Sequence, residues 1–396
     1  MATITRKTPS APLPAAPAYG TKTIAELLPS AAAALGVPGF DNILGLPVAN
    51  RICVVMVDGL GKALLKARGG HAPFLRKLME NAATLQSPFP STTAASLASL
   101  GTGLAPGLHG VVGYDVVDPE KRRVVNQLGG WPKDLNAHTW QPNQTVFERV
   151  AAAGVHTATV SLNKFKDSAL TQAALRGTQF TAAESPHARV RTTCEVLAAN
   201  PRSLVYAYWN ELDRAGHRFG KDSSQWGNAL EDLDLMMRTL AARVPAGTLL
   251  LLTADHGMVD VEENWRIDYS QFPELVAGVE LTAGEPRGVQ LHFHAQTSAQ
   301  KREGVAEAWR ERFGSKAWVL SREEAITHGL FGEVATAVRE RIGDLLILAA
   351  EDIAFLDGRR VNPAAFTMVG QHGSMTRAEC EIPLLTLARP ITKKKS

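Results

Sequence analysis

Short runs of continuous apolar residues, broken by turns and acids, constrain this chain more than any other feature of its sequence. They cover residues 52–57 (ICVVMV), 157–161, 203–208, 248–253 (TLLLLT) and 344–349 (DLLILA). Each is too short for a core helix, and near-continuous hydrophobicity is what a strand covered on both faces requires. Between the runs lie helical patterns at 145–153, 190–199 and 226–244. Such alternation predicts an α/β fold with a mainly parallel central sheet flanked by helices. Two stretches break the rhythm. Residues 115–140 are rich in charge, Gly and Trp without a clean period, and are expected to form an active-site loop. Residues 262–342 contain a strand-like VQLHFHA and two charged helical patterns, and are expected to form a small α/β insertion or cap. The domain expectation is therefore a flexible Ala/Pro-rich arm over 1–22 and one catalytic domain over 23–392.

Composition narrows the function classes. Lys and Arg number 42 against 39 Asp and Glu, a net charge of +3, which is too balanced for a dedicated nucleic-acid binder. Lys393, Lys394 and Lys395 are read as a solvated chain end. The three cysteines, Cys53, Cys194 and Cys380, stand singly and give no disulfide framework, which suits a reducing compartment. The N-terminal stretch lacks the apolar core of a secretory signal, and no run reaches the length of a membrane span. A cytoplasmic protein without a membrane partner is expected.

Four segments place metal-ligand side chains just after expected strands. In VVMVDGLG, Asp58 faces the crevice outside the strand ends, although such an acid often only caps a helix. In YWNELDRAGH, Asp213 and His217 are one helical turn apart, which equally describes a surface pair. In TLLLLTADHGM, Asp255 and His256 follow a buried strand, where an unpaired acid is costly. In MVGQHGSM, His372 lies between Gly370 and Gly373, which permit a tight turn around an ion. A fifth segment, FPSTTAASLASL, offers hydroxyls at a helix start. Ser91, Thr92 and Thr93 are each candidates for a nucleophile or for an N-cap. Together these side chains suffice for two cations about 4 Å apart, the arrangement used for in-line displacement at phosphorus. With no His or Lys beside the threonines, activation of the hydroxyl falls to metal. Three imidazoles favour Zn²⁺, with Mn²⁺ or Fe compatible.

Other residues are read as structural. His292 and His294 alternate on one strand face, expected to be solvated, Trp131, Trp140 and Trp209 fill a core or line a wall, and Asn163, Lys164 and Lys166 form a charged turn. His109 is read as a support for the nucleophile loop.

The ordered motifs VDGLG, PSTTAASLASLGTGLAPGLHG, ELDRAGH, TADHGM and GQHG resemble those of the alkaline phosphatase superfamily, most closely its nucleotide pyrophosphatase/phosphodiesterase branch. The resemblance covers roughly residues 51–385 and implies an alkaline phosphatase-like fold. It implies two zinc ions, one held by Asp58, Thr93, Asp255 and His256, the other by Asp213, His217 and His372. It also selects Thr93 as nucleophile, because a Thr-Gly pair stands nine positions later at Thr102-Gly103. The implied reaction is in-line attack by Thr93 on a small phosphodiester or pyrophosphate substrate. A phospho- or nucleotidyl-threonine forms and is then hydrolysed by water. A phosphomonoesterase or phosphonate hydrolase on the same core is the alternative, and a metal-stabilised binding module without turnover is the alternative of another class. Two departures bear on nucleotide preference. Ala94-Ala95 follow Thr93 where nucleotide-cleaving members commonly carry Phe-Pro-Asn, and Tyr114 stands where an asparagine would hold a phosphate oxygen.

Overall fold

The computed structural model describes residues 12–390 of the chain. Its strands are β1 (Arg51–Val57), β2 (Ala83–Gln86), β3 (Asp115–Asp118), β4 (Arg123–Asn126), β5 (His156–Ser161) and β6 (Gln179–Ala182). They continue as β7 (Ser203–Trp209), β8 (Thr248–Thr253), β9 (Val259–Asp260), β10 (Arg266–Asp268), β11 (Val279–Glu285) and β12 (Gly288–Phe293). The last are β13 (Ala317–Ser321), β14 (Leu345–Ala349), β15 (Ala354–Leu356), β16 (Gly370–Gln371) and β17 (Glu381–Ala388).

The central sheet has seven strands in the order β2-β17-β8-β1-β7-β5-β6. Strands β8, β1, β7, β5 and β6 run parallel, and β17 is antiparallel to both its neighbours. Every residue of β7 and β8 is buried, as helices on both faces require. Those helices include Val146–Ala152, started by a capping box of Thr145 and Glu148, Pro186–Ala199 and Ser224–Arg243.

A second, antiparallel sheet has the order β13-β14-β12-β11-β3-β4. It corrects three expectations. The run at 344–349 is a strand, but of this sheet and not of the central one. Leu345, Ile347 and Ala349 face one apolar cluster around Trp309, and Leu346 and Leu348 face another around Phe89 and Phe331. Continuous hydrophobicity therefore reported cover on both faces and said nothing about parallel partners. Residues 115–140 are not a free loop: they contain the β3–β4 hairpin, and Trp131 and Trp140 pack edge to face at 6.1 Å. The cap is accordingly wider than 262–342, since it draws in β3, β4 and β14.

The N-terminal segment is also more firmly held than a free arm along 12–22. Tyr19 donates its hydroxyl to Leu330 O at 2.8 Å and accepts from Phe89 N at 3.0 Å, and Ala18 N donates to Gln86 Oε1 at 2.7 Å. The remainder of the expected arm, and Lys393 to Lys395, lie outside the described residues.

Candidate active site

Strands β8, β1 and β7 are adjacent and parallel, so their carboxyl ends open on one edge of the sheet. Asp58 follows β1, Asp255 and His256 follow β8, and Asp213 lies in the first turn of helix Glu211–Phe219 after β7. The backbone locks these ends together. Asp58 N donates to Trp209 O at 2.8 Å and Gly59 N to Asp255 Oδ1 at 3.0 Å. Gly59 has φ +73°, and a Cβ there would stand 3.1 Å from Asp213 Oδ1. Glycine thus lets the chain turn beneath the carboxylate. His372 arrives from β16, next to the loop that precedes Thr93.

The structure gathers these side chains into two groups, Asp58 with Asp255 and His256, and Asp213 with His217 and His372. Within each, potential ligand atoms lie within 4.8 Å of one another. The groups adjoin where the His256 and His372 rings stack, 3.6 Å between centroids. All three imidazoles are set in the same tautomer. Each Nδ1 faces a carbonyl, which can only accept: His256 to Gly257 O at 2.9 Å, His217 to Gly370 O at 2.7 Å, and His372 to Ser91 O at 2.9 Å. Each Nδ1 therefore carries the proton, and each Nε2 presents a lone pair to the site.

The acids are arranged for a cation. Asp213 Oδ1 and Asp255 Oδ2 are buried and have no hydrogen-bond partner among the described residues. Burial, reinforced by the charges of Asp213 and Asp255, pushes the Asp58 carboxyl well above its usual range. Burial, reinforced by the neighbouring His256 and His217, pushes His372 well below the ordinary imidazole value. Crowded acids beside imidazole lone pairs are the donor set that a divalent transition metal neutralises. The residues present fit such ions.

Thr93 opens helix Thr93–Thr102, with Thr92 at the N-cap position. The Thr92 side chain makes no cap hydrogen bond, so capping does not account for the hydroxyls here. Thr93 Oγ1 lies 3.2 Å from His256 Nε2 and 3.5 Å from Asp58 Oδ1. The first backbone N–H groups of the helix lack intrahelical acceptors and are suited to receive phosphoryl oxygens. Ser96 Oγ donates to Asp255 O at 2.8 Å, fixing the helix against the end of β8. His109 supports the same helix: its Nε2 meets Ser99 Oγ at 3.0 Å, while its Nδ1 accepts from Val111 N at 3.1 Å.

A cavity of about 680 Å³ opens over Thr93 and Asp58, and Tyr114 and Lys164 are on its wall. Two residues there escape a sequence reading. Tyr208 donates its hydroxyl to Asp58 Oδ2, and its only signal is the period-two Tyr206/Tyr208 pair on β7. Glu285, at the end of β11, accepts from Tyr114 N at 3.3 Å; burial raises its carboxyl well above the usual range. Other candidates lie elsewhere. The strand face expected to be solvated is so only in part: His292 is buried, His294 is half exposed near Glu280, at 3.6 Å, and neither joins the Asp/His groups. Trp209 belongs to the main core and Trp131 and Trp140 to a cluster of the cap.

Comparison with known proteins points the same way. The family model described as type I phosphodiesterase / nucleotide pyrophosphatase matches residues 52–375. Human ectonucleotide pyrophosphatase/phosphodiesterase family member 5 is 23% identical over 295 residues, 68% of this chain and 60% of that protein. The chain thus spans three fifths of that relative's length. Among solved structures, an inactive variant of murine ectonucleotide pyrophosphatase/phosphodiesterase 5 in complex with AMP superposes with a TM-score of 0.67 at 18% identity. The match covers 86% of this chain and 90% of that one. Phosphonoacetate hydrolase from Sinorhizobium meliloti 1021, in complex with phosphonoformate, gives 0.67 at 18% identity, covering 88% and 93%. At these identities the structural likeness is one of fold.

Proposed function

Because the chain belongs to the type I phosphodiesterase/nucleotide pyrophosphatase family of the alkaline phosphatase superfamily, we propose that it is a two-zinc hydrolase of phosphodiester or pyrophosphate bonds with Thr93 as nucleophile. The observation that carries this reading is the common tautomer of His217, His256 and His372, whose Nε2 atoms converge with buried acids beside one threonine hydroxyl. Asp58, Asp255 and His256, with Thr93, would hold one ion, and Asp213, His217 and His372 the other. Bound zinc supplies positive charge at the reacting oxygens and lowers the pKa of a hydroxyl or water.

The chain's own groups do the rest. The helix start fixes Thr93 Oγ1 at the mouth of the cavity. Attack forms the Oγ1–P bond as the leaving oxygen departs in line, and water then releases the phosphoryl group from Thr93. The free N–H groups of the first helical turn bind non-bridging oxygens, and Tyr114 takes the place of the absent asparagine there. Residues 23–392 act as one catalytic domain, because both sheets line the cavity. Among the described residues no helix is long and apolar enough to cross a membrane, and the three free cysteines suit the cytoplasm.

A second reading, a phosphomonoester or phosphonate hydrolase, draws on Lys164 and Arg360, two cations on the cavity wall that a dianionic substrate would use. Arg360 is already paired with Asp115 at 2.7 Å, which leaves Lys164 and favours the diester. Turnover of p-nitrophenyl phosphate, bis-p-nitrophenyl phosphate and thymidine 5′-p-nitrophenyl phosphate, with metal analysis of the same protein, tests the choice. Preference for the monoester refutes it. The Thr93→Ala variant should keep its zinc and lose at least about a thousandfold in kcat. A wild type inert on every ester would support a binding module instead.

A further inference from the structure

We propose that the catalytic cavity continues into an apolar lobe that receives an uncharged aryl or branched-alkyl substituent of the substrate, in place of a nucleoside. The inference rests on the phosphodiesterase reading and names the substrate class of that site. The lobe starts at Leu97, four residues after Thr93 and so on the same face of helix Thr93–Thr102. Its floor is a row across three strands of the central sheet: Phe180 pairs with Thr159, and Thr159 with Tyr206. Paired residues point to one face, so the three side chains form a continuous surface. Leu170 and Leu175, from the segment of helix Ala169–Ala174, complete the wall. That helix lies close against the nucleophile helix, where a Cβ on Gly101 would meet Ala174 O at 1.7 Å.

All six residues line the same cavity as Thr93, and none is charged. The Thr159 hydroxyl is engaged by Thr178 Oγ1 at 2.9 Å. The Tyr206 hydroxyl, on a side chain 1% exposed, has no hydrogen-bond partner among the described residues. Ser168 and Thr171, also on the cavity wall, bond to each other at 2.9 Å. A nucleobase brings several polar edge atoms, and seated against the six lobe residues it would meet one free hydroxyl and leave most of those atoms unsatisfied. A hydrocarbon ring loses nothing there, and one polar atom on its far side would satisfy Tyr206. Ala94 is fully buried and absent from the cavity wall, so the position after Thr93 offers no ring for a base to stack on.

The test is steady-state kinetics of the zinc-loaded full chain on four diesters that share the p-nitrophenolate leaving group. Their second substituents are methyl, phenyl, p-nitrophenyl and 5′-thymidyl, and each rate is normalised to alkaline hydrolysis of the same ester. The phenyl ester should exceed the methyl and thymidyl esters in kcat/KM by about tenfold or more, part of a ring's transfer energy after ordering losses. Leu170→Phe and Leu175→Phe, which narrow the lobe, should each reduce the phenyl-to-methyl ratio. Tyr206→Phe should remove any advantage of the p-nitrophenyl over the phenyl substituent. A wild-type phenyl-to-methyl ratio near one, or a preference for the thymidyl ester, overturns the proposal without any variant having to fold. If no diester turns over, the phosphodiesterase reading fails by itself. The lobe is then judged by thermal shift: a larger stabilisation by phenylphosphonate than by methylphosphonate supports it, and equal shifts overturn it.

Discussion

Single atoms decide whether this crevice can hold metal, and the Tyr208 hydroxyl is the clearest case. It donates to Asp58 Oδ2, leaving Oδ1 turned toward His256 Nε2 at 3.4 Å. The carboxylate therefore cannot swing, and one oxygen is assigned to support and the other to the site. Outer partners of this kind commonly contribute about 10- to 100-fold to metal affinity. Tyr208→Phe keeps the ring and its edge contact with Phe165, 5.7 Å between centroids, and deletes only the donor. Competition against a chromogenic chelator should show zinc binding weakened within that range, while the circular dichroism spectrum stays unchanged. Equal affinity in both proteins would assign the hydroxyl to packing alone.

At the scale of elements, function depends on how the loops carrying Thr93 and His372 are stitched together. Ser91 Oγ donates to Ser374 O at 2.7 Å, and Gly373 N donates back to Ser91 Oγ at 3.2 Å. Behind them Arg287 of the cap and Glu379 form a two-pronged ion pair, at 2.8 and 2.9 Å, with both side chains fully buried. Glu379 Oε1 also accepts from Ser374 N at 2.9 Å, so the pair anchors the turn after His372. Glu379→Ala leaves a guanidinium stranded in the core and should cost about 3–5 kcal/mol in urea unfolding. The double variant Arg287→Met, Glu379→Leu should recover much of that loss; additive losses would show that the charges act independently. His109 ties the other end of the helix that opens at Thr93 and makes stability depend on pH. Burial, aided by the Arg341 charge, lowers its pKa from 6.5 to about 3. Its contribution is complete above 6.5, where folded and unfolded chains are both neutral. It is lost as pH falls from 6.5 toward 3, because only the unfolded chain takes up the proton, at no more than about 1.4 kcal/mol per pH unit. Unfolding free energies at pH 7 and pH 4.5 should differ less in His109→Gln than in wild type. Identical differences would exclude His109 as a source.

Taken whole, the molecule is built on two large sheets that share one cavity, and its sequence exposes the two unequally. The central sheet is legible because its strand ends carry acids and histidines straight after buried runs. One rule about parallel strands then brings Asp58, Asp213 and Asp255 together from positions far apart in the chain. The cap is less legible, since β14 is apolar on both faces like a parallel strand, and the β3–β4 hairpin is too short to show a period. Glu285 carries no local signal and Tyr208 only its period-two pairing with Tyr206, as each acquires its role from a partner more than a hundred residues away. On the proposed reading, the same architecture would make bound metal part of the fold. Three buried acids meet in one crevice, two of their oxygens have no hydrogen-bond partner among the described residues, and burial disfavours the charge that Asp58 would otherwise carry. Ions that bind only the folded chain stabilise it by mass action, by about 4 kcal/mol at a thousand times the dissociation constant. Chelation should therefore lower the thermal midpoint and zinc should restore it, with a shift that grows with free zinc concentration. The Asp213→Asn, His217→Gln variant should retain a smaller, single-site share of that shift. Midpoints indifferent to chelator would mean that the crevice is stable empty, and that its acids and imidazoles need no ion to coexist.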